Sequence, residues 1–303
     1  MKKFEMNADL MLLLVAIIWG TGFIGVEYAI KADMSAFLIM ASRFSIAAIV
    51  LIIVTYKDMK QIKKSEWIKG SIAGVLLFTG FYFQTIGQSQ TTVSNSAFIT
   101  ATYVVMVPFI AWIFTKVKPS LKLVILTFVV LIGVGVLTLS PSEGFKLNIG
   151  DVLILVGAFG FACHVAFVEI AVGNSSAKII TFIQISVAAI LSILGLFIFD
   201  PGAIAVANYA VGFPAVLFLG LFSTCLCFFM QTSAQKRTSA AKVGIILSTE
   251  GFFGTLFSIV LGLEPLKAKI IIGGMIIITA VILTETDFKP KKHIINESIQ
   301  TLD

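Results

Sequence analysis

The sequence predicts an all-α integral membrane protein, ten transmembrane helices arranged as two inverted five-helix repeats. Three observations predict it. Of 303 residues, 58% are hydrophobic and only 13% charged, with a mean hydropathy of +1.03, which is the composition of a chain embedded in a lipid bilayer. The second half of the chain repeats polar landmarks of the first. Basic residues gather in alternate connections between the apolar stretches, so the two repeats enter the bilayer from opposite sides.

The apolar stretches of spanning length are Asp9 to Ile30, Met34 to Thr55, Ile68 to Ser89, Val93 to Phe114, Leu121 to Leu139, Ile149 to Ala171, Ile179 to Phe199, Val211 to Ala234, Ala240 to Leu263 and Ala268 to Leu283. The first follows a short basic start, but its apolar run is longer than a signal-peptide core and further spans follow it. Connections are short, with turn signals at SPSEG (Ser140 to Gly144) and DPG (Asp200 to Gly202). Residues 1–140 form the first repeat, 141–285 the second, and 286–303 a polar cytoplasmic tail.

Shifting the second half back by 147 positions lays Gln231, Thr232, Gln235, Thr238, Ile246 and Thr249 on Gln84, Thr85, Gln88, Thr91, Ile99 and Thr102. A shift of 142 lays Asp151, Leu155, Ala158 and Glu169 on Asp9, Leu13, Ala16 and Glu27. A slightly different shift pairs IAAIV (Ile46 to Val50) with VAAIL (Val187 to Leu191). Three agreements in the same order point to duplication rather than to coincidence in low-complexity apolar sequence.

With the N-terminus cytoplasmic, seventeen Lys and Arg fall in the cytoplasmic segments, from Lys2 to Lys292, against four on the other side, at Lys31, Lys146, Lys267 and Lys269. That bias places both termini in the cytoplasm of a cell-membrane protein. Five spans per half then force the halves into opposite orientations, an architecture common among secondary transporters, which bind substrate near the midplane between the halves. The net charge of +6 is no nucleic-acid footprint, because the basic residues lie in short inter-span connections. Cys163, Cys225 and Cys227 fall inside spans without metal-site or disulfide spacing, so neither cofactor nor metal is expected. HExxH, GxSxG and Walker-type GxxxxGK patterns are missing, which argues against a membrane enzyme; a channel or a lipid-handling protein is not excluded by composition.

At IIWGTGFI in the first span, ASRFSIAAIV in the second, YVVMVPFIAWI (Tyr103 to Ile113) in the fourth and STEGFFGTLFSIVLGLEPL in the ninth, the chain resembles the EamA-type branch of the drug/metabolite transporter superfamily. The ninth span has Glu250-Gly251 where the family often shows Glu-Pro, so a helix break there would rest on Gly251. Glu264 fits the family pattern at the end of that span, whereas TKVKP ends the fourth without its counterpart. The resemblance implies ten spans from two five-helix repeats. It also implies transport of an amino acid or related metabolite, by export and without nucleotide hydrolysis.

Glu250 carries the sharpest functional expectation. Ten residues into the ninth span, it lies about 15 Å deep at 1.5 Å per residue, near the middle of a hydrocarbon layer about 30 Å thick. An acid there costs about 3 kcal/mol, so it faces a bundle interior or a wet cavity, either as hydrogen-bonding glue or as a site for substrate or a proton. The repeat aligns it with Tyr103, which puts a phenol and a carboxyl on facing walls. Tyr82, Gln84 and Gln88 on the third span offer an aromatic face and neutral hydrogen-bonding groups, with packing as the alternative for the tyrosines. Trp19 is a cavity wall or an interhelical packer. His164 is a hydrogen-bonded core residue or a gating and proton-coupling group. Arg43, inside the second span, needs a carboxylate, backbone carbonyls or water; Glu27 and Glu169 are the candidate carboxylates, and the guanidinium organises structure or meets an anionic substrate. The small residues Gly244, Ser248, Gly251, Thr255 and Ser258 form a stripe suited to close helix packing. The expected partners are a small-molecule substrate, a proton as a further candidate, and the lipid bilayer.

Overall fold

The computed structural model describes residues 7–91, 93–138, 148–261 and 266–285; the SPSEG turn, Glu264 and the tail lie outside them. Among the described residues the chain is helical throughout, with no strand. Eight helical stretches are long and apolar enough to cross a membrane, and the fifth and tenth predicted spans are shorter apolar helices, Leu121–Val136 and Ala268–Thr284. Isoleucine and phenylalanine side chains such as Ile53, Ile132, Phe197 and Ile198 are exposed on the outer surface, as expected of a surface solvated by lipid.

Helix α1 (Ala8–Lys31) starts after Asn7, whose side chain accepts from the Asp9 amide, and α2 (Ala36–Thr55) starts after Ser35, which accepts from Leu38. A short 3-10 turn, Met59–Gln61, leads to α3 (Lys64–Gln88), where Glu66 accepts from the Lys63 amide at 3.1 Å. The fourth predicted span is two helices, α4 (Val93–Ala101) and α5 (Tyr103–Thr115), and α6 (Leu121–Thr138) follows. Helix α7 (Ile149–Ala171) opens on a reciprocal cap between Asn148 and Asp151, and α8 (Ala177–Phe199) runs antiparallel after it. Beyond the short α9 (Ala203–Val206), the eighth span consists of α10 (Tyr209–Phe218), a π-helical segment Leu219–Leu226 and α11 (Cys227–Gln235). The ninth is again two helices, α12 (Ala240–Leu247) and α13 (Glu250–Val260), and α14 (Ala268–Glu285) completes the described chain.

The two interruptions share a chemistry. Thr102 donates its hydroxyl to the Ile99 carbonyl at 2.6 Å, and Ser248 and Thr249 donate to Ile245 and Ile246, also at 2.6 Å. Thr102, Ser248 and Thr249 keep right-handed helical backbone angles, so each place is a local tightening of one continuous span, with each hydroxyl taking up a carbonyl there. The residue that opens the new helix is Tyr103 in one case and Glu250 in the other. Serine and threonine hydroxyls therefore mark the tightening in the ninth span, and Gly251 already lies inside α13.

Helices of the two halves interleave: α3 packs on α7 and α8, α2 on α8, α6 on α14, α5 on α7, and α1 on α13 and on the eighth span. A close backbone crossing of α13 with α1 lies on the face of Glu250. A Cβ built on Gly20 would lie 2.6 Å from the Gly254 nitrogen, and one on Gly254 would lie 2.9 Å from the Gly20 carbonyl oxygen. The small-residue stripe expected to make the close contact is looser: Cβ atoms on Gly244 and Gly251 would sit 3.6 Å from Val107 and 3.8 Å from Val134.

One end of the bundle is tied by charge. Lys242 on α12 pairs with Asp9 on α1 at 2.8 Å, Lys178 pairs with Asp58, and Glu66 accepts from the Ser176 amide at 3.1 Å. Lys236 donates to the Ser175 carbonyl at 2.9 Å. This basic end carries the start of α1 and the connections α2–α3, α7–α8 and α11–α12. The opposite end is joined by neutral or singly charged contacts, Thr91 to Asp151 at 2.7 Å and the Asn208 amide to the Ala32 carbonyl at 2.9 Å.

Candidate functional site

The two tightened spans converge on one cavity between the halves, with an empty volume of about 600 Å³ that is partly continuous with the outside. Tyr103 and Glu250, the first residues of α5 and α13, both line it and are both buried. Trp19, Phe81, Phe161 and Phe228 form its aromatic surfaces. It extends to Val26 and Gln88, near the ends of α1 and α3 remote from the basic end. Toward the basic end, Leu12, Val15, Val107, Val243 and Leu247 pack into one core with no exposed surface and close it.

The walls come in pairs related by the repeat offsets. A shift of 147 carries Phe81 to Phe228, Gln84 to Gln231 and Tyr103 to Glu250; a shift of 142 carries Trp19 to Phe161, Gly22 to His164 and Phe23 to Val165. The contacts repeat as well. Trp19 lies 5.2 Å from Phe228, and Phe161 lies 5.0 Å from Phe81. Gln88 donates to the Phe23 carbonyl at 3.2 Å, and Gln235 donates to the Val165 carbonyl at 2.8 Å. The likeness breaks at two polar positions, carboxyl against phenol at Glu250 and Tyr103 and imidazole against no side chain at His164 and Gly22.

Most of the residues expected at a site meet here. Trp19 is both wall and packer, since its Nε1 also donates to the Ser223 carbonyl at 2.7 Å. Gln84 donates to Thr100 at 3.0 Å. His164 is 1% exposed and its Nε2 lies 2.9 Å from Gln184 Oε1, while Gln184 Nε2 lies 3.1 Å from the Thr232 hydroxyl. Arg43 is 3% exposed and lines the cavity, but its partners are not the carboxylates expected. Its Nε donates to the Thr224 hydroxyl at 2.9 Å and its Nη2 to the Ser223 hydroxyl at 3.2 Å, and the guanidinium lies 4.4 Å from the Phe81 ring centroid. Ser223 and Thr224 sit in the π-helical segment, whose widened turn brings both hydroxyls and the Ser223 carbonyl to the site.

Three expected residues lie elsewhere. Tyr82 points into an aromatic cluster with Phe37, Phe78 and Phe83, at 5.0, 5.8 and 5.2 Å, one residue round the helix from Phe81. Glu27 pairs with Lys31 at 3.3 Å. Glu169 accepts from the Ala240 amide at 3.0 Å and so caps α12. Conversely, Gln231, Phe81, Phe161, Phe228, Thr100 and Ser223 line the cavity without having been singled out as site residues. Gln231 had a signal available: it is the repeat partner of Gln84. Among the described residues no group of three or more His, Cys, Asp or Glu side chains converges on a metal position.

The model of the EamA-like transporter family matches residues 6–139 and again residues 148–286. A protein of Archaeoglobus fulgidus described as an uncharacterized transporter is 33% identical over 286 residues, covering 92% of this chain and 86% of its own length. The fold is also that of a protein known from a crystal structure, with a TM-score of 0.77 at 16% identity over 92% of this chain and 96% of that one. With the family match spanning nearly its whole length, this multi-pass, all-helical membrane protein belongs to the EamA-like transporter family.

Proposed function

We propose that the chain is a secondary carrier that exports small organic metabolites, amino acids or their relatives, by alternating access across the cell membrane. It does so through ten spans in two inverted five-helix repeats, residues 1–140 and 141–285. The observation that carries this reading is the cavity. Its walls are paired by the offsets that align the halves, and two of them begin at helix tightenings at matching positions, Thr102 and Thr249. A site at mid-depth between inverted halves is where many carriers hold their substrate. The two separate family matches, residues 6–139 and 148–286, support the same division.

A carrier fits better than a channel because the cavity is closed at the basic end by a dry core and by the Asp9–Lys242 pair. A pore would need a continuous polar path there. Opening that end, while closing the other around Val26 and Gln88, is the exchange that alternating access requires. The deciding experiment is counterflow in proteoliposomes against a panel of amino acids, amines, organic acids and sugars. Saturable uptake of labelled solute driven by unlabelled solute on the other side is expected. Flux that never saturates and shows no counterflow would make the protein a pore.

The membrane orientation follows from the lysine bias, with both termini and the basic end cytoplasmic. A cysteine at Gln90, exposed at the far end of α3, is expected to react with an impermeant maleimide added to intact cells, and one at Ser65 is not. The opposite labelling would reverse the orientation.

A further inference from the structure

Two buried oxygens of cavity-lining residues have no hydrogen-bond partner, Oη of Tyr103 and Oε1 of Gln231. Both side chains are more than nine-tenths buried, at 3% and 1% exposure. Polar atoms left unpaired in this way are costly, and native proteins seldom keep them without use.

The direction of the Gln231 amide is fixed by its neighbours. The Val165 carbonyl can only accept, so Gln235 must offer its Nε2, at 2.8 Å. Gln235 Oε1 then faces Gln231, which must offer its own Nε2, at 3.2 Å. The Gln231 oxygen, which can only accept, is then left without a partner. In the other half the Phe23 carbonyl fixes Gln88 in the same way, and Gln84 Nε2 lies against the Thr100 hydroxyl. The Trp19 N–H is taken by the Ser223 carbonyl, and Arg43 is engaged by two hydroxyls and the Phe81 ring. Beside these engaged groups the wall leaves one oxygen that can only accept, on Gln231, and one phenol that can accept or donate, on Tyr103.

We propose that Gln231, Tyr103 and Glu250 form a subsite for the ammonium group of a protonated primary amine. An ammonium has three N–H bonds and no acceptor, which complements a carbonyl oxygen, a phenol oxygen and a carboxylate. The rings of Trp19, Phe81, Phe161 and Phe228 take the apolar part of the ligand. Gln235 touches no ligand in this arrangement; it is a positioning residue that holds the Gln231 carbonyl outward. The proposal rests on the carrier reading and narrows its substrate class.

The test is isothermal titration of three probes into the full-length protein in detergent: phenethylamine, L-phenylalanine and 3-phenylpropionate, the last lacking the amine. Phenethylamine and L-phenylalanine are expected to bind about tenfold or more tightly than 3-phenylpropionate, the scale of one hydrogen bond to a charged group. Gln231→Leu should collapse that ratio toward one, Gln235→Leu should reduce it in part, and Gln231→Glu, which keeps an acceptor, should retain it. Each variant is checked for folding by its unfolding midpoint, and Gln235→Leu carries the test if Gln231→Leu does not fold. Equal or tighter binding of 3-phenylpropionate, a ratio unmoved in folded variants, or no binding by any probe would overturn the subsite. Counterflow of a solute without an ammonium group would remove the subsite and leave the carrier standing. Phenethylamine binding without counterflow of any solute would do the reverse.

Discussion

Replacing Glu250 with glutamine is expected to remove most transport, about tenfold or more, while the protein stays folded. The side chain opens α13 directly after the Ser248–Thr249 tightening and is 5% exposed on the cavity wall beside Tyr103. Glutamine keeps its length and its hydrogen bonding and cannot ionise, so the exchange tests charge rather than packing. A carboxyl in this place can hold a proton in one state of the carrier and release it, or meet a substrate ammonium, in the other. Removing a charged partner from a buried hydrogen bond costs about 1.5–3 kcal/mol, a factor of ten or more in affinity. The measurement is counterflow between about pH 6 and 8 with unfolding midpoints recorded in parallel. His164, Tyr103, Arg43 and Cys227 share the surroundings of the cavity, so the pH profile of Glu250→Gln is compared with that of His164→Gln. Loss of flux, or loss of its pH dependence, is the expected result. Full, pH-sensitive transport by Glu250→Gln would reduce Glu250 to interhelical glue.

The sequence shows this carboxyl because an acid in an apolar run is conspicuous, and its pairing with Tyr103 is legible because glutamines and threonines anchor the register of the repeat. The helices are legible for the same reason, since length and hydropathy suffice to find them. Other features depend on tertiary contacts that no local pattern carries. Nothing in LGLFSTCL announces a π-helical turn. That turn supplies the hydroxyls that hold Arg43, so charge pairing with Glu27 or Glu169 is not what satisfies the guanidinium. Tyr82 and Phe81 are adjacent, and about 100° of helix rotation sends one into the Phe37–Phe78 cluster and the other to the cavity. Gln231 served as a marker of the repeat, although a residue equivalent to a cavity glutamine is itself a candidate for the same cavity. A break beside Glu250 was expected to depend on Gly251, but the span stays continuous there, with serine and threonine hydroxyls taking up carbonyls.

Gly20→Ala and Gly254→Ala are each expected to destabilise the fold by about 1–3 kcal/mol and to bring counterflow to background, whereas Gly251→Ala should leave both nearly unchanged. The contrast lies in what a single added methyl meets. At Gly20 it would lie 2.6 Å from the Gly254 nitrogen and 2.9 Å from the Glu250 carbonyl oxygen, and at Gly254 it would lie 2.9 Å from the Gly20 carbonyl oxygen. These are backbone atoms, so no side chain can turn aside and α1 must move away from α13. That movement separates Trp19, next to Gly20, from Glu250, one turn from Gly254, and so parts two walls of the cavity at once. At Gly251 the nearest atom would be a Val134 methyl at 3.8 Å, an ordinary contact. Unfolding midpoints in detergent and counterflow in proteoliposomes read the two effects separately. Should Gly251→Ala prove as damaging as Gly254→Ala, the face of α13 toward α6 would govern transport, and the walls of the site would have to be sought away from the α1–α13 crossing.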